Sequence, residues 1–219
     1  MKNYLLLTAF LSAGLLHAAP PNPRIAEGKL KDHVYENEFF GLTYALPSLW
    51  TVEARQPVKK FMAAGGDALV KDRVLSEKSV KADQSHTYNL LQAISPQADS
   101  ITGYSPNISI VAEHLPEDGP ITTADAYLRN SINIFTRMTS AHYEVLEDRK
   151  KVTIGGREFL RATFRSTTQR PDSPLRLSIL QSQYVTVING YAFQLILSAG
   201  TEKRMEELRS SFEKLNFKF

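Results

Sequence analysis

The sequence predicts an α+β fold, a largely antiparallel sheet with helices packed on both of its faces. The first observation is a long alternating run, Leu175 to Ile188, that meets Asn189-Gly190 and returns as Tyr191 to Ala199. Asn-Gly suits a two-residue type I′ turn, because both central residues need positive φ and these two tolerate it best. The second is that strands outnumber helices and many are joined by hairpin signals. The third is that helices with 3-4-3 apolar spacing occur at intervals between them, as expected for elements packed on a sheet.

The Asn-Gly hairpin organises the rest. A tight turn sets Ile188 opposite Tyr191, Thr186 opposite Phe193 and Tyr184 opposite Leu195. The other face carries Val185, Val187, Ala192 and Ile196 among Gln181, Gln183, Gln194 and Ser198, so it is half polar and part of it needs cover. Thr201 then caps a helix whose apolar residues are Met205, Leu208, Phe212 and Leu215. Leu215, Phe217 and Phe219 alternate as a short terminal strand.

Before the hairpin, Val34 to Phe40 and Leu42 to Leu46 form two strands broken at Gly41. Pro47-Ser48-Leu49-Trp50 turns the chain into a brief strand, Trp50 to Glu53, with Trp50, the only tryptophan, read as a buried anchor under the sheet. Pro57 opens a short helix ended by Gly65-Gly66, and Asp67 caps another with Leu69, Val70 and Val74 inward and a solvated tail from Lys78 to Gln84. Thr87 to Ile94 and Asn107 to Leu115 are strands around a polar loop, Ala98 to Pro106. In the second, Ile108, Ile110 and Ala112 face one way and Ser109, Val111 and Glu113 the other.

Thr122 or Thr123 caps a helix reaching about Met138, with Leu128, Ile132, Phe135 and Met138 as its stripe. Asp125 stands three residues after Thr122, as in a capping box with Asp for Glu. Tyr143 to Glu147 and Lys151 to Ile154 are short strands, and Gly155-Gly156 turns tightly into Arg157 to Ser166. Arg170 to Pro174 is a loop.

Composition narrows function. The 219 residues are 42% hydrophobic, enough for one well-filled core. The formal charge is +3 and falls to +2 without Lys2, a balanced surface unlike the concentrated basic stripe of a nucleic-acid binder. Cysteine is absent, which excludes disulfides, thiolate metal sites, a cysteine nucleophile and a lipidated cysteine. Met1-Lys2-Asn3, the apolar run Tyr4 to Leu16 and Leu16-His17-Ala18 read as a signal peptide over 1–18, cleaved after Ala18. The run is too short to stay as a membrane span, which needs roughly 20 apolar residues. The expected organisation is a signal peptide, a disordered leader over 19–33 containing Pro20-Pro21-Asn22-Pro23, and one domain over 34–219, in the periplasm or secreted.

Chemistry-bearing motifs are missing. There is no Gly-x-Ser-x-Gly elbow, no Gly-rich phosphate loop and no His-Glu-x-x-His. His33, His86, His114 and His142 are far apart; Asp83 with His86 is at most half a metal site, since zinc needs three or four ligands. Glu117-Asp118 reads as turn chemistry and Gly155-Gly156 as a hairpin rather than a phosphate loop. The sequence therefore offers no catalytic, cofactor-binding or metal-binding residues, and no cofactor is expected.

One resemblance bears on function. Tyr35-Glu36-Asn37, Phe40-Gly41-Leu42 and Pro47-x-x-Trp50 resemble the opening of Mog1/PsbP-like domains. The capped helix from Thr122, the step Ile154-Gly155-Gly156-Arg157, and the strand Tyr191 to Leu195 followed by the helix from Thr201 resemble the later pieces. The resemblance implies an α/β/α sandwich and a protein that binds and stabilises other proteins, without a binding or metal motif that carries over by residue. Fold alone does not fix function. The expectation is an exported, non-enzymatic module whose partner is another protein or an envelope assembly. The alternatives are a hydrolase whose triad forms only in the fold and a small-ligand carrier using a cleft beneath Trp50.

Overall fold

The computed structural model describes residues 25, 28–53, 66–169 and 176–218, with 82–85 and 213 described by their backbone alone. In chain order the elements are β1 (Lys29–Lys31), β2 (Val34–Asn37), β3 (Leu42–Ala45), β4 (Thr51–Val52), α1 (Glu77–His86), β5 (Thr87–Ile94) and β6 (Asn107–His114). They continue with α2 (Ala124–Thr136), β7 (His142–Ile154), β8 (Arg157–Gln169), β9 (Arg176–Ile188), β10 (Tyr191–Ala199), α3 (Glu202–Ser211) and β11 (Leu215–Phe217). Residues 66–71 are also helical. The fold is mixed α/β. Two antiparallel sheets replace the single one expected: a seven-stranded sheet ordered β4-β5-β6-β10-β9-β8-β7 and a four-stranded one ordered β1-β2-β3-β11.

Asn189 and Gly190 both take positive φ, 52° and 79°, and the register sets Tyr191 on Ile188, Phe193 on Thr186 and Leu195 on Tyr184. Because side chains alternate along β10, this one turn decides which residues meet which cluster. Phe193, Leu195 and Leu197 enter a large core with Ile108, Ile110 and Ala112 of β6. That core takes Phe40, Leu42 and Tyr44 from the small-sheet segment and Met205, Leu208 and Phe212 from the α3 segment. Ala192 and Val185 enter a second core with Tyr127, Leu128 and Phe135 of α2 and with Leu69 and Val74. The cover that the half-polar face demanded is therefore α2 in part. A polar chain runs beneath it: Gln183 Nε2 donates to Gln194 Oε1 (2.7 Å), Gln194 Nε2 to the Tyr127 hydroxyl (2.6 Å), and that hydroxyl to Glu113 Oε2 (2.6 Å).

Replacing Gly190 by valine is expected to cost about 1–3 kcal/mol, because a β-branched residue is strained at positive φ. Open space surrounds the position, with no atom within 4 Å of an added Cβ, so strain acts alone. Gly190→Asn tolerates the same backbone and should lose much less; equal melting temperatures for the two variants would contradict the turn. Gly28 is no neutral control, since a Cβ there would lie 2.1 Å from the Tyr35 hydroxyl.

Several sequence expectations are corrected. The leader expected to be disordered over 19–33 is partly structured: β1 pairs with β2, and Ile25 is fully buried. Lys29-Leu30-Lys31 shows no apolar alternation because β1 is held by backbone pairing, with all three side chains exposed. Gly66 lies within a helix instead of ending one, so Asp67 is not its cap. The charged stretch after it is α1, capped by Ser76, which accepts from the Ser79 amide, and anchored by buried Val80. Of the two caps the sequence offers, Thr123 is the one that caps α2, and only the capping box is corrected: Asp125 pairs with Arg129 instead of closing it.

The two short strands around residue 148 are one edge strand, β7, carrying register shifts between Val145 and Lys150. Its charges hide the alternation, and both charge and bulge protect an exposed edge from pairing with another chain. The last helix stops at Ser211, so Leu215 belongs to β11. The signal peptide, the Pro57 helix up to residue 65, the 170–174 loop and Phe219 lie outside the described residues.

Candidate binding groove

Three segments meet at one end of the seven-stranded sheet. The Pro47–Trp50 turn closes with the Trp50 amide donating to Pro47 O (3.0 Å) and leads into the edge strand β4. The loop between β5 and β6 lies alongside, and α3 forms the third wall. Between them is a groove of about 170 Å³ lined by Pro47, Trp50, Gln97, Pro106, Arg204 and Leu208, among others. Trp50 is only partly buried, packing on the large core with one side and facing the groove with the other. The expectation of a buried anchor is corrected to a groove wall. The cleft expected beneath Trp50 is present.

Asp99 fixes two of the walls. Its Oδ1 accepts from the Ile101 amide (2.9 Å), the Thr102 amide (2.9 Å) and the Thr102 hydroxyl (3.2 Å). Its Oδ2 accepts from the Thr201 hydroxyl (3.0 Å), the N-cap of α3. One nearly buried carboxylate therefore sets the loop against the start of the helix that carries Arg204, Glu207 and Leu208. Burial by itself would raise its pKa, but the hydrogen bonds from Thr102, Thr201 and Ile101 outweigh that and hold it below the ordinary carboxylate value. The approach is close: a Cβ on Gly200 would sit 2.0 Å from Thr102 Oγ1.

The Ser211 hydroxyl and the Arg204–Glu207 pair of the groove are engaged. Ser211 Oγ donates to Leu208 O (2.6 Å) and lies 3.1 Å from the Tyr44 hydroxyl, whose pKa burial pushes up to about 12. A neutral phenol is no base at neutral pH, so Ser211 is not set up as a nucleophile. Arg204 Nη1 pairs with Glu207 Oε2 at 2.7 Å on the lip. Two large apolar side chains on the same loops stand in water: Leu49, 71% exposed, in the turn that carries Trp50, and Ile101, 84% exposed, in the loop held by Asp99.

The other residues singled out in the sequence lie elsewhere. Glu117 and Asp118 are exposed in a turn closed by the Gly119 amide on Pro116 O (3.0 Å), and Gly155-Gly156 is a hairpin turn with φ of 54° and 80°. His33 and His142 are exposed at strand ends. His86 and His114, 28 positions apart in the chain, come together with ring centroids 6.3 Å apart. In the sequence Asp99 is one residue of a polar loop; the signal that finds it is Asp99-Ser100-Ile101-Thr102, an acid followed by amides it can cap.

No protein-family model matches the chain. No curated protein matches it. Among solved structures, the PsbP of the cyanobacterium Synechocystis sp. PCC 6803 is similar at 14% identity and a TM-score of 0.46, over 93% of this chain and 99% of that one. LpqN of Mycobacterium tuberculosis, described as involved in cell envelope biogenesis, is similar at 13% identity and a TM-score of 0.43, over 81% and 83%. A Bacteroides thetaiotaomicron structure is similar at 15% identity and a TM-score of 0.37, over 82% of this chain and 46% of that one. Among the described residues, no helix is long and apolar enough to cross a membrane.

Proposed function

We propose that this chain is an exported, non-enzymatic module that binds another protein or an envelope assembly through the Trp50 groove. Its body is one α/β/α sandwich domain over 34–219, extended at its start by β1. The observation that carries the reading is the pairing of a small, Trp-walled groove with two exposed apolar side chains, Leu49 and Ile101, on the loops that form it. Large aromatics and arginines set in pockets dominate binding energy at protein interfaces, and both Trp50 and Arg204 line this groove.

Volume separates this reading from small-ligand carriage. Pockets for drug-sized ligands hold about 300–1,000 Å³. A groove of about 170 Å³ suits one or two side chains of a larger partner. The hydrolase alternative asks for a free nucleophile beside a base, and Ser211 is instead bonded to Leu208 O and adjoins neutral Tyr44.

Trp50→Ala is expected to weaken the complex with the natural partner by roughly 2 kcal/mol or more, on the order of 30-fold in Kd. Titration calorimetry against the partner isolated from the envelope measures it, with thermal melting to confirm the fold. An unchanged Kd in a folded variant would overturn the groove as the binding site. Export rests on the sequence signal, and an intact mass beginning at Ala19 is the expected result for released protein; a mass that retains residues 4–16 would contradict it.

A further inference from the structure

We propose that Asn189-Gly190 is a self-modifying site, where the Asn189 side-chain amide is lost to the Gly190 backbone nitrogen and a tie between the two sheets is cut. The sequence supplies the reactive pair. Glycine after asparagine leaves the attacking backbone nitrogen uncrowded, because no Cβ stands beside it. Asn189 is the one asparagine in the chain followed by glycine, and both residues of the pair are exposed. Two other exposed asparagines, Asn133 and Asn216, are followed by Ile134 and Phe217, whose side chains crowd the same approach. Around Gly190 the space is open, with no atom within 4 Å of an added Cβ, so water reaches the turn.

The step balances with water as its only co-reactant. The Gly190 nitrogen attacks Asn189 Cγ, a new N–Cγ bond forms, and the Cγ–Nδ2 bond breaks. The proton of the attacking nitrogen leaves with the amide as ammonia, and a five-membered imide ring remains. Water then opens the ring at either carbonyl. One opening gives aspartate in a normal backbone, and the other gives isoaspartate, in which the main chain runs through the former side chain.

The structure shows what this reaction would undo. Asn189 Nδ2 donates to Phe39 O at 2.7 Å, across 150 positions of sequence. Phe39 lies in the turn Glu38–Phe40 between β2 and β3, so a single amide joins the β9–β10 turn to the four-stranded sheet. The Phe39 ring stands edge-on to Tyr191 beside it, with centroids 5.6 Å apart. Gly190 O accepts from the Leu115 amide (2.9 Å), which holds the other half of the turn. With both residues held, ring closure waits for the turn to open, and its rate reports that local opening. Aspartate tolerates the positive φ of Asn189, yet an ionised carboxylate only accepts and cannot donate to the Phe39 carbonyl. Isoaspartate does more, because it adds a main-chain carbon to a two-residue turn that sets Tyr191 on Ile188.

Incubating the intact chain at mildly alkaline pH, with peptide mapping by mass spectrometry, tests the site. Conversion at Asn189 is expected to run several-fold faster than at Asn133 or Asn216, with part of the product as isoaspartate. In urea it should run faster still, since the Phe39 and Leu115 contacts are gone. Asn189→Asp, which keeps the backbone conformation and loses the donor, should melt below the parent. Conversion at Asn189 no faster than at Asn216 would overturn the modification site. Equal rates in buffer and urea would overturn the protection by the folded turn, and a parental melting temperature in Asn189→Asp would overturn the tie.

Discussion

Phe193→Ala is expected to cost about 3–5 kcal/mol, the range for truncating a fully buried phenylalanine. Phe193 is 0% exposed and touches both sheets. Its ring centroid lies 5.0 Å from Phe40, in the turn between β2 and β3, 5.7 Å from Phe217 on β11 and 6.5 Å from Phe159 on β8. Deleting it removes a side chain that several others pack around, and neighbours fixed by two sheets cannot collapse into the space. Equilibrium urea unfolding measures the loss as a fall in midpoint at constant slope. A cost below about 1 kcal/mol would mean that the four-stranded sheet does not share this core.

The second large effect belongs to Asp99. Asp99→Ala removes the acceptor for two amides and two hydroxyls and leaves the Ile101 and Thr102 amides without that partner, a loss of about 2–3 kcal/mol. The same carboxylate makes stability depend on pH with a definite sign. Its folded pKa lies below the unfolded value, because hydrogen bonds to the ionised form outweigh the effect of burial. The unfolded chain therefore binds the proton first as pH falls. The stabilisation is complete well above about pH 4 and is lost as pH drops through the lower folded value. Asp99→Asn, which keeps the shape and loses the charge, should be clearly less stable than the parent at pH 7 and approach it at pH 3. A stability gap of the same size at both pH values would show that charge is not what ties the loop to α3.

Much of the scaffold was legible because its signals are local. Asn189-Gly190 and Gly155-Gly156 need positive φ, and few other residues supply it, so both hairpins could be placed to the residue. The Thr201 cap lies next to the helix it starts, accepting from the Arg204 amide three positions on. The alternation Ile108, Ile110, Ala112 against Ser109, Val111, Glu113 follows from strand geometry alone.

What was hidden depends on partners distant in sequence. β1 has three exposed side chains and exists because its backbone pairs with β2. β7 reads as two strands because an edge strand carries charges on positions that an interior strand would fill with apolar residues; Glu147 there meets Arg161 of β8, and Arg149 meets Asp125 of α2. Of the groove, the sequence shows only Trp50 and the cleft expected beneath it. Asp99 reaches Thr201 across 102 positions, and nothing near Asp99 announces that contact.

The most direct test of association through the Trp50 groove is a pair of alanine scans read by whatever phenotype deletion of the protein produces. One scan covers Leu49, Trp50, Ile101 and Arg204; the other covers exposed Ser, His, Asp and Glu over the rest of the surface. A binding surface spreads its energy over a few large anchors, whereas a catalytic centre loses nearly everything with one polar group. The account predicts graded losses confined to the groove scan, greatest at Trp50, and near-parental function in the other. A single Ser, His or acidic substitution that reproduces the deletion in a folded protein would contradict it and establish catalysis instead.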